Sequence, residues 1–386
     1  MNAEPGTAAA VRVAVVTGTR AEYGLLRPVI RAIADHPRLE PRIIVTGAHF
    51  LPPAETWREV EAEWENVIAA RVPMQRPEGG GHLDDAEAVG RGICGIAAAL
   101  RTQRPSWVVV LGDRIEAFAG ASAAAIGGIA VAHLHGGDRA EGVADESLRH
   151  AITKLAHLHL PATAASAERI LRMGEDPRRV VIVGSPAIDG LGSVAPADDQ
   201  SWDRMGRPTC IALLHPIGDA PETERARAAQ LFGALHGERV LWLHPNYDPG
   251  REGVLQAGAD AVSRSGWVSA DHIPREQFIG VLKRLASSGG VMVGNSSAGL
   301  IECAALGVPA VDVGERQGGR ERPGNVVHVD GSGRDEIVAA IAAARRFDRP
   351  GMTHPYGDGH SGTRAAAALA ATDPTGRGFL RKRCTY

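Results

Sequence analysis

Short runs of β-branched and apolar residues alternate with helical patterns along this chain, and this alternation constrains the fold more than any other feature. Apolar runs of this length predict strands buried on both faces, and helices between them imply right-handed crossovers in a parallel sheet. In the first half the predicted strands cover residues 11–17, 42–46, 107–111, 129–133 and 180–183. The predicted helices cover residues 25–35, 87–100, 115–126 and 145–156. We therefore predict an α/β domain over residues 1–190.

A second alternation follows an aperiodic segment, residues 191–208, which is rich in Ser, Pro, Asp and Gly and is interpreted as an interdomain connection. The strands predicted after it cover residues 210–214, 240–244, 291–294 and 310–313. The helices predicted after it cover residues 222–235, 275–286 and 299–306. We predict a second α/β domain over residues 208–365 and a C-terminal tail over residues 366–386. Two similar α/β halves in series are typical of two facing Rossmann-like domains.

Composition limits the classes of partner. With 386 residues, of which 44% are hydrophobic, the chain has enough apolar side chains for two cores. The formal net charge of −3 gives no general attraction for nucleic acid or an anionic membrane, so an anionic ligand must be bound by local groups. The sequence has no stretch of about eighteen apolar residues, and its first ten residues do not resemble a signal peptide. We expect a cytoplasmic protein without a nucleic-acid or membrane partner.

Polar residues follow two of the predicted strands of the first domain. Gly18 and Arg20 come after the first strand, and Asp113 comes after the third. The carboxyl ends of parallel strands meet at one edge of the sheet, where open α/β sheets bind ligands. Arg20 either contacts a phosphate or base edge beside a helix N-terminus, or is a surface arginine in an ordinary turn. Asp113 is a helix N-cap, a general base, or both.

The densest polar cluster, HLHGGD at residues 133–138, follows the fourth predicted strand. Because strand side chains alternate, His133 and His135 are expected on one side, and with Asp138 they form a candidate metal-ligand set. The paired glycines instead favour a backbone that opens toward a ligand. On the next helix Asp145 and Arg149 lie one turn apart, a spacing common in surface ion pairs. Their position after a glycine-rich strand exit favours a binding site.

In the second domain, two predicted strands each end in His-Pro, at His215 and His244. A single histidine at a strand end is commonly structural, but two in equivalent positions favour a site. Ser296, Ser297 and Gly299 follow a third strand, where a helix is predicted to begin. Serine hydroxyls and helix N–H groups can hold a diphosphate, although either serine could instead be an N-cap alone.

Glu302 is a lone carboxylate in a helix that is otherwise predicted to be buried. Burying an unpaired carboxylate costs several kcal/mol or shifts its pKa, so a partner is expected. Ribose hydroxyls are a natural partner, since acidic residues commonly hold ribose diols. Arg316 and Arg320 follow the next predicted strand and are assigned to a nucleotide.

Taken together, these segments resemble the UDP-N-acetylglucosamine 2-epimerase family, and within it the hydrolysing enzymes of sialic acid synthesis. The matching segments run in order from about residue 12 to 330 and are TGTRAEYG, LGDRIEAF, HLHGGD, ADESLRHAITKLAHLH, VGSPAID, HPNYDPG, GNSSAGLIECAALGVP and GERQGGRERPGNV. The resemblance implies a GT-B-like pair of Rossmann-like domains facing across a cleft, with UDP held mainly by the second. It also implies a homodimer.

The resemblance implies roles in proton transfer and in the departure of UDP. Asp113 and Asp145 match carboxylates implicated in proton transfer at C2 of the sugar. Arg149 and His215 match residues that stabilise the departing UDP. His135 stands where many relatives carry a glutamate proposed as an acid/base group, and a histidine can also move a proton near neutral pH. Leu25 stands where the non-hydrolysing branch carries a lysine.

For UDP the resemblance implies contacts with the nucleotide end, the diphosphate and the ribose. The residues assigned to these contacts are Arg20, His244, Ser296, Ser297, Gly299, Glu302 and Arg316.

Inversion at C2 requires a proton to leave one face of the ring and return to the other, and departure of UDP from C1 assists its loss. Addition of water to the intermediate gives N-acetylmannosamine and UDP, whereas re-addition of UDP gives UDP-N-acetylmannosamine. The branch resemblance favours water. This chemistry requires no metal or redox cofactor.

Other enzyme and non-enzyme functions remain open from the sequence. A metal-dependent hydrolase would use His133, His135 and Asp138 as ligands. A transferase on the same two-domain fold would use the UDP site without carboxylates around C2. A non-catalytic nucleotide-sugar binding protein would bind UDP without turnover.

Overall fold

The computed structural model describes residues 10–52, 55–77, 81–140, 145–331, 333–349, 352–376, 378–383 and 385, and describes Asp145 by its backbone alone. The chain divides into two compact units. Unit 1 comprises Met1–Asp138, Ser147–Asp189 and Gly357–Tyr386, and unit 2 comprises Arg139–Glu146 and Gly190–Tyr356.

Unit 1 is built on a six-stranded parallel sheet. Its strands are β1 (Val11–Thr17), β2 (Leu39–Thr46), β3 (Ile68–Val72), β4 (Trp107–Leu111), β5 (Ala130–Leu134) and β6 (Leu158–Leu160). Its helices along this stretch are α1 (Arg20–Ala34), α2 (Trp57–Trp64), α3 (His82–Gln103), α4 (Ile115–Ile126), α5 (Asp145–Leu155) and α6 (Ala164–Arg172). The spatial order is β3-β2-β1-β4-β5-β6, so the direction of winding reverses between β1 and β4. The turns after these two strands therefore flank the crevice where such sheets bind ligands.

Unit 2 repeats the same plan. Its strands are β7 (Cys210–Leu213), β8 (Val240–Leu243), β9 (Val268–Ala270), β10 (Val291–Gly294), β11 (Ala310–Val313) and β12 (Val326–Val329). Its helices are α7 (Asp199–Arg204), α8 (Pro221–Ala234), α9 (Arg251–Ser265), α10 (Arg275–Ser287), α11 (Glu302–Ala305) and α12 (Arg334–Ala344). The order β12-β11-β10-β7-β8-β9 places the reversal between β7 and β10. The predicted fold class, two Rossmann-like α/β domains, is confirmed.

The strand predictions were right at the sheet centres and incomplete at the edges. Strands β3, β6, β9 and β12 were not predicted, and β9 and β12 are only partly buried. Residues 180–183 were predicted as a strand, but Val180 makes only an isolated bridge to His159, and Ile182 is 49% exposed. An apolar run that lies beyond an edge strand has few backbone partners left to pair with.

The predicted helix over residues 299–306 is two short pieces. A 3₁₀ turn covers Ser297–Gly299, and α11 has four residues. Between them Ile301 has φ −102° and ψ −72°, which departs from helical geometry and interrupts the hydrogen-bond ladder. The interdomain connection predicted over residues 191–208 contains α7.

The boundary predicted between residues 365 and 366 falls inside a helix, α13 (Ser361–Ala371). This helix packs on α1, and its residues Ala365, Ala366 and Leu369 belong to the core of unit 1. Asp189 caps its start, because the carboxylate accepts hydrogen bonds from the N–H groups of Ser361 and Gly362 at 2.9 and 2.7 Å. The chain thus returns to unit 1 after completing unit 2.

Among the helices within the described ranges, none is both long and apolar enough to cross a bilayer.

Candidate active site

The turn between β1 and α1 carries Arg20 at the carboxyl edge of the first sheet. The Thr19 hydroxyl caps α1 by accepting a hydrogen bond from the N–H of Glu22 at 3.3 Å. The Glu22 side chain folds back, and its Oε2 accepts a hydrogen bond from the N–H of Gly18 at 2.7 Å. The turn is therefore held from both sides, and Arg20 follows directly as the first residue of α1, partly exposed.

Asp113 and Arg149 form an ion pair after β4. The arginine side chain is 3% exposed and the aspartate side chain 19% exposed, so the carboxylate is the more accessible partner. Arg149 Nη1 also donates to the backbone carbonyl of His135 at 3.3 Å. Asp113, Arg149 and His135 are thus brought together at the carboxyl edge of this sheet.

His135 is held by hydrogen bonds on both ring nitrogens. Nδ1 lies 2.8 Å from Asp138 Oδ2, and Nε2 lies 3.0 Å from the Ser185 hydroxyl. The second oxygen of Asp138 accepts from the Ser166 hydroxyl at 2.7 Å. His135 follows the end of β5 with φ +59° and is 5% exposed. This network fixes the ring and the left-handed backbone beneath it.

The expectation that His133 and His135 face one side is wrong, because β5 ends at Leu134 and the backbone turns at His135. His133 is buried, with Nε2 2.7 Å from the Gly112 carbonyl and Nδ1 3.2 Å from the Thr153 hydroxyl. Burial is the main cause that lowers the pKa of His133 to about 3, so this ring is neutral at physiological pH. Through its hydrogen bond to the Gly112 carbonyl, His133 stabilises the turn that contains Asp113.

The metal-site alternative has no support in the described part of the chain, where no three His, Cys, Asp or Glu side chains are grouped so as to hold a metal ion. The polar atoms of His133, His135 and Asp138 are directed at protein partners instead. Asp145 is the first residue of α5, and its side chain lies outside the described residues.

In unit 2 the ends of β7 and β10 are locked together by Asn295. Its Oδ1 accepts from the N–H of His215 at 2.7 Å, and its Nδ2 donates to the carbonyl of His215 at 2.8 Å. The ring Nδ1 of His215 accepts from the N–H of Asn246 at 3.1 Å. A neutral imidazole that accepts at Nδ1 carries its proton on Nε2, so His215 is preset as a donor from Nε2.

His244, the second of the two predicted strand-end histidines, lies after β8. Its ring packs on Trp242 with a centroid separation of 4.3 Å, and it forms an ion pair with Asp271 when protonated. Arg316 Nη1 donates to the carbonyl of Asn295 at 3.3 Å, and Gln317 donates to the same carbonyl at 2.8 Å. Described hydrogen bonds therefore connect Arg316 to Asn295. None of the described hydrogen bonds connects His244 to Asn295.

Ser296 and Ser297 are both partly exposed at the end of β10. The Ser296 hydroxyl accepts from the N–H of Ala298 at 3.4 Å, which is the capping role given as the alternative. Because α11 has four residues, the long helix N-terminus expected to face a diphosphate is absent in this described segment. What remains is a turn with two hydroxyls next to Gly299.

Glu302 was expected to have a partner, for which ribose hydroxyls were the candidate, and the structure supplies a protein partner instead. Arg275, the first residue of α10, places its Nη1 3.1 Å from Glu302 Oε1, and the two side chains are 19% and 7% exposed. The cost of burying the carboxylate is therefore offset within the protein, and the physical argument for a ribose partner no longer holds. The sequence could not reveal this pair, because its members lie 27 residues apart.

A model of the UDP-N-acetylglucosamine 2-epimerase family matches residues 31–370 of the chain. This protein belongs to that family. A UDP-N-acetylglucosamine 2-epimerase from Neisseria meningitidis is 34% identical over 83% of this chain and 84% of its own length. A hydrolysing UDP-N,N'-diacetylbacillosamine 2-epimerase from Legionella pneumophila is 32% identical over 93% of this chain and 95% of its own length.

Solved structures share the fold of this epimerase-family chain. The UDP-GlcNAc 2-epimerase of Methanocaldococcus jannaschii, in complex with UDP-GlcNAc and UDP, superimposes with a TM-score of 0.78 at 20% identity, covering 94% of this chain and all of the other. An enzyme of the same name from Neisseria meningitidis, bound to UDP-GlcNAc, gives a TM-score of 0.77 at 18% identity and the same coverage.

Sequence reasoning missed three buried polar residues near the strand ends of the candidate site. Asn295, 3% exposed, joins two strand ends, and Glu22 and Glu116, 4% and 0% exposed, flank the turn after β1. A usable signal existed for Glu116, which is the one charged residue in the apolar helix IEAFAGASAAAI. The same criterion singled out Glu302.

Proposed function

We propose that this protein is a hydrolysing 2-epimerase of a UDP-linked N-acetylhexosamine, releasing UDP and the free C2-inverted sugar. The observation that carries the proposal is Asp113, an accessible carboxylate ion-paired with the nearly buried Arg149 at the carboxyl edge of the first sheet. Membership of the epimerase family gives the reaction class, and relatives from Legionella pneumophila and Campylobacter jejuni carry the hydrolysing activity in their names.

In the proposed mechanism Asp113 and Asp145 are the acid/base pair at C2. One carboxylate takes the C2 proton while the C1–O bond to UDP breaks, and the C2–H electrons form a C1=C2 double bond. The second step adds water at C1 and a proton at C2 from the opposite face. Two carboxyl groups suit these two steps because one must accept a proton and the other must deliver one.

Arg149 supplies positive charge beside the reacting carboxylate. A guanidinium that is already desolvated interacts strongly with charge that develops on the leaving diphosphate. His135 is proposed as a positioning residue, because its ring is held by Asp138 and Ser185 and its carbonyl by Arg149. This role accounts for a histidine where many relatives carry a glutamate.

Unit 2 is proposed to hold UDP. His215, with its proton on Nε2, donates to the diphosphate, and the hydroxyls of Ser296 and Ser297 add further donors. Arg316 contributes charge to the nucleotide, with His244 and Gly299 beside it. Arg20, which follows β1 in unit 1, is assigned to the nucleotide through the family resemblance. Glu302 stays assigned to the ribose through the family resemblance alone. Its carboxylate also forms the ion pair with Arg275.

The products distinguish the hydrolysing from the non-hydrolysing outcome. Purified protein is incubated with UDP-N-acetylglucosamine and, in parallel, with UDP-N,N'-diacetylbacillosamine, the compound named for the relative that covers 93% of this chain. Proton and phosphorus NMR should show free UDP and a free 2-epimerised sugar in one of the two reactions. A UDP-linked 2-epimer as the product would show the non-hydrolysing outcome, and UDP binding without turnover of either compound would favour a binding protein.

The proposed enzyme is a cytoplasmic homodimer that needs no metal. Light scattering should give about twice the chain mass of 40.5 kDa. Activity should survive dialysis against a chelator, whereas loss on chelation and recovery with a divalent ion would contradict this part of the proposal.

A further inference from the structure

Two buried carboxyl groups meet at the turn between β1 and α1, and the reaction proposed above assigns a role to neither. Glu22 is 4% exposed and Glu116 is fully buried. Glu22 Oε2 binds the N–H of Gly18, and a Cβ added at position 18 would lie 2.3 Å from Cβ and Cγ of Glu116. The two side chains therefore enclose Gly18, two residues before Arg20.

The environments of the two carboxyl groups differ. Glu116 accepts hydrogen bonds from Gln75 Nε2 at 2.8 Å and the Ala48 N–H at 3.4 Å, and Arg114 Nε lies 3.3 Å from its other oxygen. Glu116 is thus the member equipped to carry a negative charge.

Glu22 is bonded to the backbone of Gly18 and Thr19 and has no ion-pair partner among the residues described. Its Oε1 is buried and has no hydrogen-bond partner in the same set. Burial is the main cause that raises the pKa of Glu22 to about 8, and the charge of Glu116 adds to this rise. The hydrogen bond from the N–H of Gly18 acts in the opposite direction and lowers the pKa.

The other charged and titratable groups around this turn are Arg114, which lowers the pKa of Glu22 through space, and Arg20 on the same helix. His49 packs against the turn from the segment after β2, with its N–H on the Gly18 carbonyl and Nε2 3.0 Å from the Thr17 hydroxyl. Burial lowers the pKa of His49 to about 3, so its charge does not change across the neutral range.

We propose that Glu22 is a positioning residue for substrate binding, which holds the Arg20 turn as a neutral carboxylic acid beside the carboxylate of Glu116. When the acid loses its proton, two negative charges oppose each other across Gly18 and the turn that presents Arg20 to the nucleotide loses its geometry. The affinity for a UDP-sugar then falls as the pH rises. This inference rests on the proposed function, because it assumes that Arg20 contacts the nucleotide.

The test compares the wild type with E22Q, whose uncharged amide mimics the neutral acid. If a binding-competent turn requires the protonated group, KM of the wild type should rise about tenfold between pH 7 and pH 9. KM of E22Q should stay flat over that range, while the ratio of the two kcat values stays constant. The matched control is E63Q, since Glu63 contacts the same helix through Tyr23 and Arg31 but lies away from the turn. Its KM should follow the wild-type profile.

A second readout does not depend on turnover. At pH 7 the infrared carbonyl band of a protonated carboxyl group should be present in the wild type and in E63Q and weaker in E22Q. Equal bands in all three would overturn the assignment of the proton to Glu22, and a flat KM in a protein that shows the band would overturn the positioning role. If no UDP-sugar is turned over, the proposed function fails, and calorimetric UDP affinity at pH 7 and pH 9 replaces KM in the same comparison.

Discussion

At the scale of single residues, the proposed function depends on the Asp113–Arg149 pair. An arginine that is 3% exposed has lost most of its hydration, and its partner carboxylate, 19% exposed, replaces that hydration while staying within reach of a substrate. His133 supports the arrangement from beneath, as a neutral ring bonded to the Gly112 carbonyl. The carboxylate of Asp113 is therefore held by the ion pair and remains partly exposed.

Asp113→Asn should lower kcat by about 10²–10⁴-fold, because the amide keeps the shape of the side chain but cannot accept a proton. Kinetics of UDP release and circular dichroism together check this prediction. Asp176→Asn is the control, since Asp176 is similarly exposed, at 22%, and forms an ion pair with an exposed arginine, Arg178. Equal effects of the two substitutions on kcat would contradict the role of Asp113.

At the scale of helices and strands, the sequence predicts those strands that are continuous and buried. Strands β1, β4, β10 and β11 agree with their predicted bounds because most of their residues are apolar and buried. Edge strands such as β9 are half-solvated, so the apolar pattern that reveals a strand is lost. The position of Asp113 was predictable because carboxyl ends of parallel strands share an edge. The Asp113–Arg149 and Arg275–Glu302 pairs depend on packing between distant residues, which no local pattern records.

Helix α13 carries the clearest prediction at this scale. Leu369→Ala should lower the free energy of unfolding by about 2–5 kcal/mol, because Leu369 is 1% exposed in the core of unit 1. Urea unfolding measures the effect. Val338→Ala on α12, where the side chain is 44% exposed, serves as the control and should change the free energy by much less. A near-zero effect for Leu369→Ala would mean that residues 361–371 are not docked.

At the scale of the whole molecule, four histidines of unit 1 couple its stability to pH. Burial lowers the pKa of His49, His133, His157 and His159. The unfolded chain then binds protons that the folded chain does not, so stability is present above pH ~6.5 and falls as the pH drops below it.

His49→Gln should reduce the dependence of stability on pH. The oxygen and the nitrogen of the glutamine amide can still bond to the hydroxyls of Thr17 and Thr56. Between pH 6 and pH 4 the slope of the unfolding free energy should decrease by about 1.4 kcal/mol per pH unit relative to the wild type. Urea titrations at several pH values measure the slope. His82→Gln, an exposed position at the start of α3, should leave it unchanged, and equal slopes for His49→Gln and the wild type would contradict the prediction.

The proposed mechanism requires this epimerase-family protein to exchange the proton at C2 of a UDP-linked sugar while it expels UDP. The most direct measurement is a reaction in heavy water, followed by mass and NMR analysis of the sugar released. The proposed mechanism predicts one deuterium at C2 for every UDP formed, and formation of the labelled sugar about 10²–10⁴-fold slower with Asp113→Asn. Release of UDP with the original hydrogen retained at C2 would contradict it.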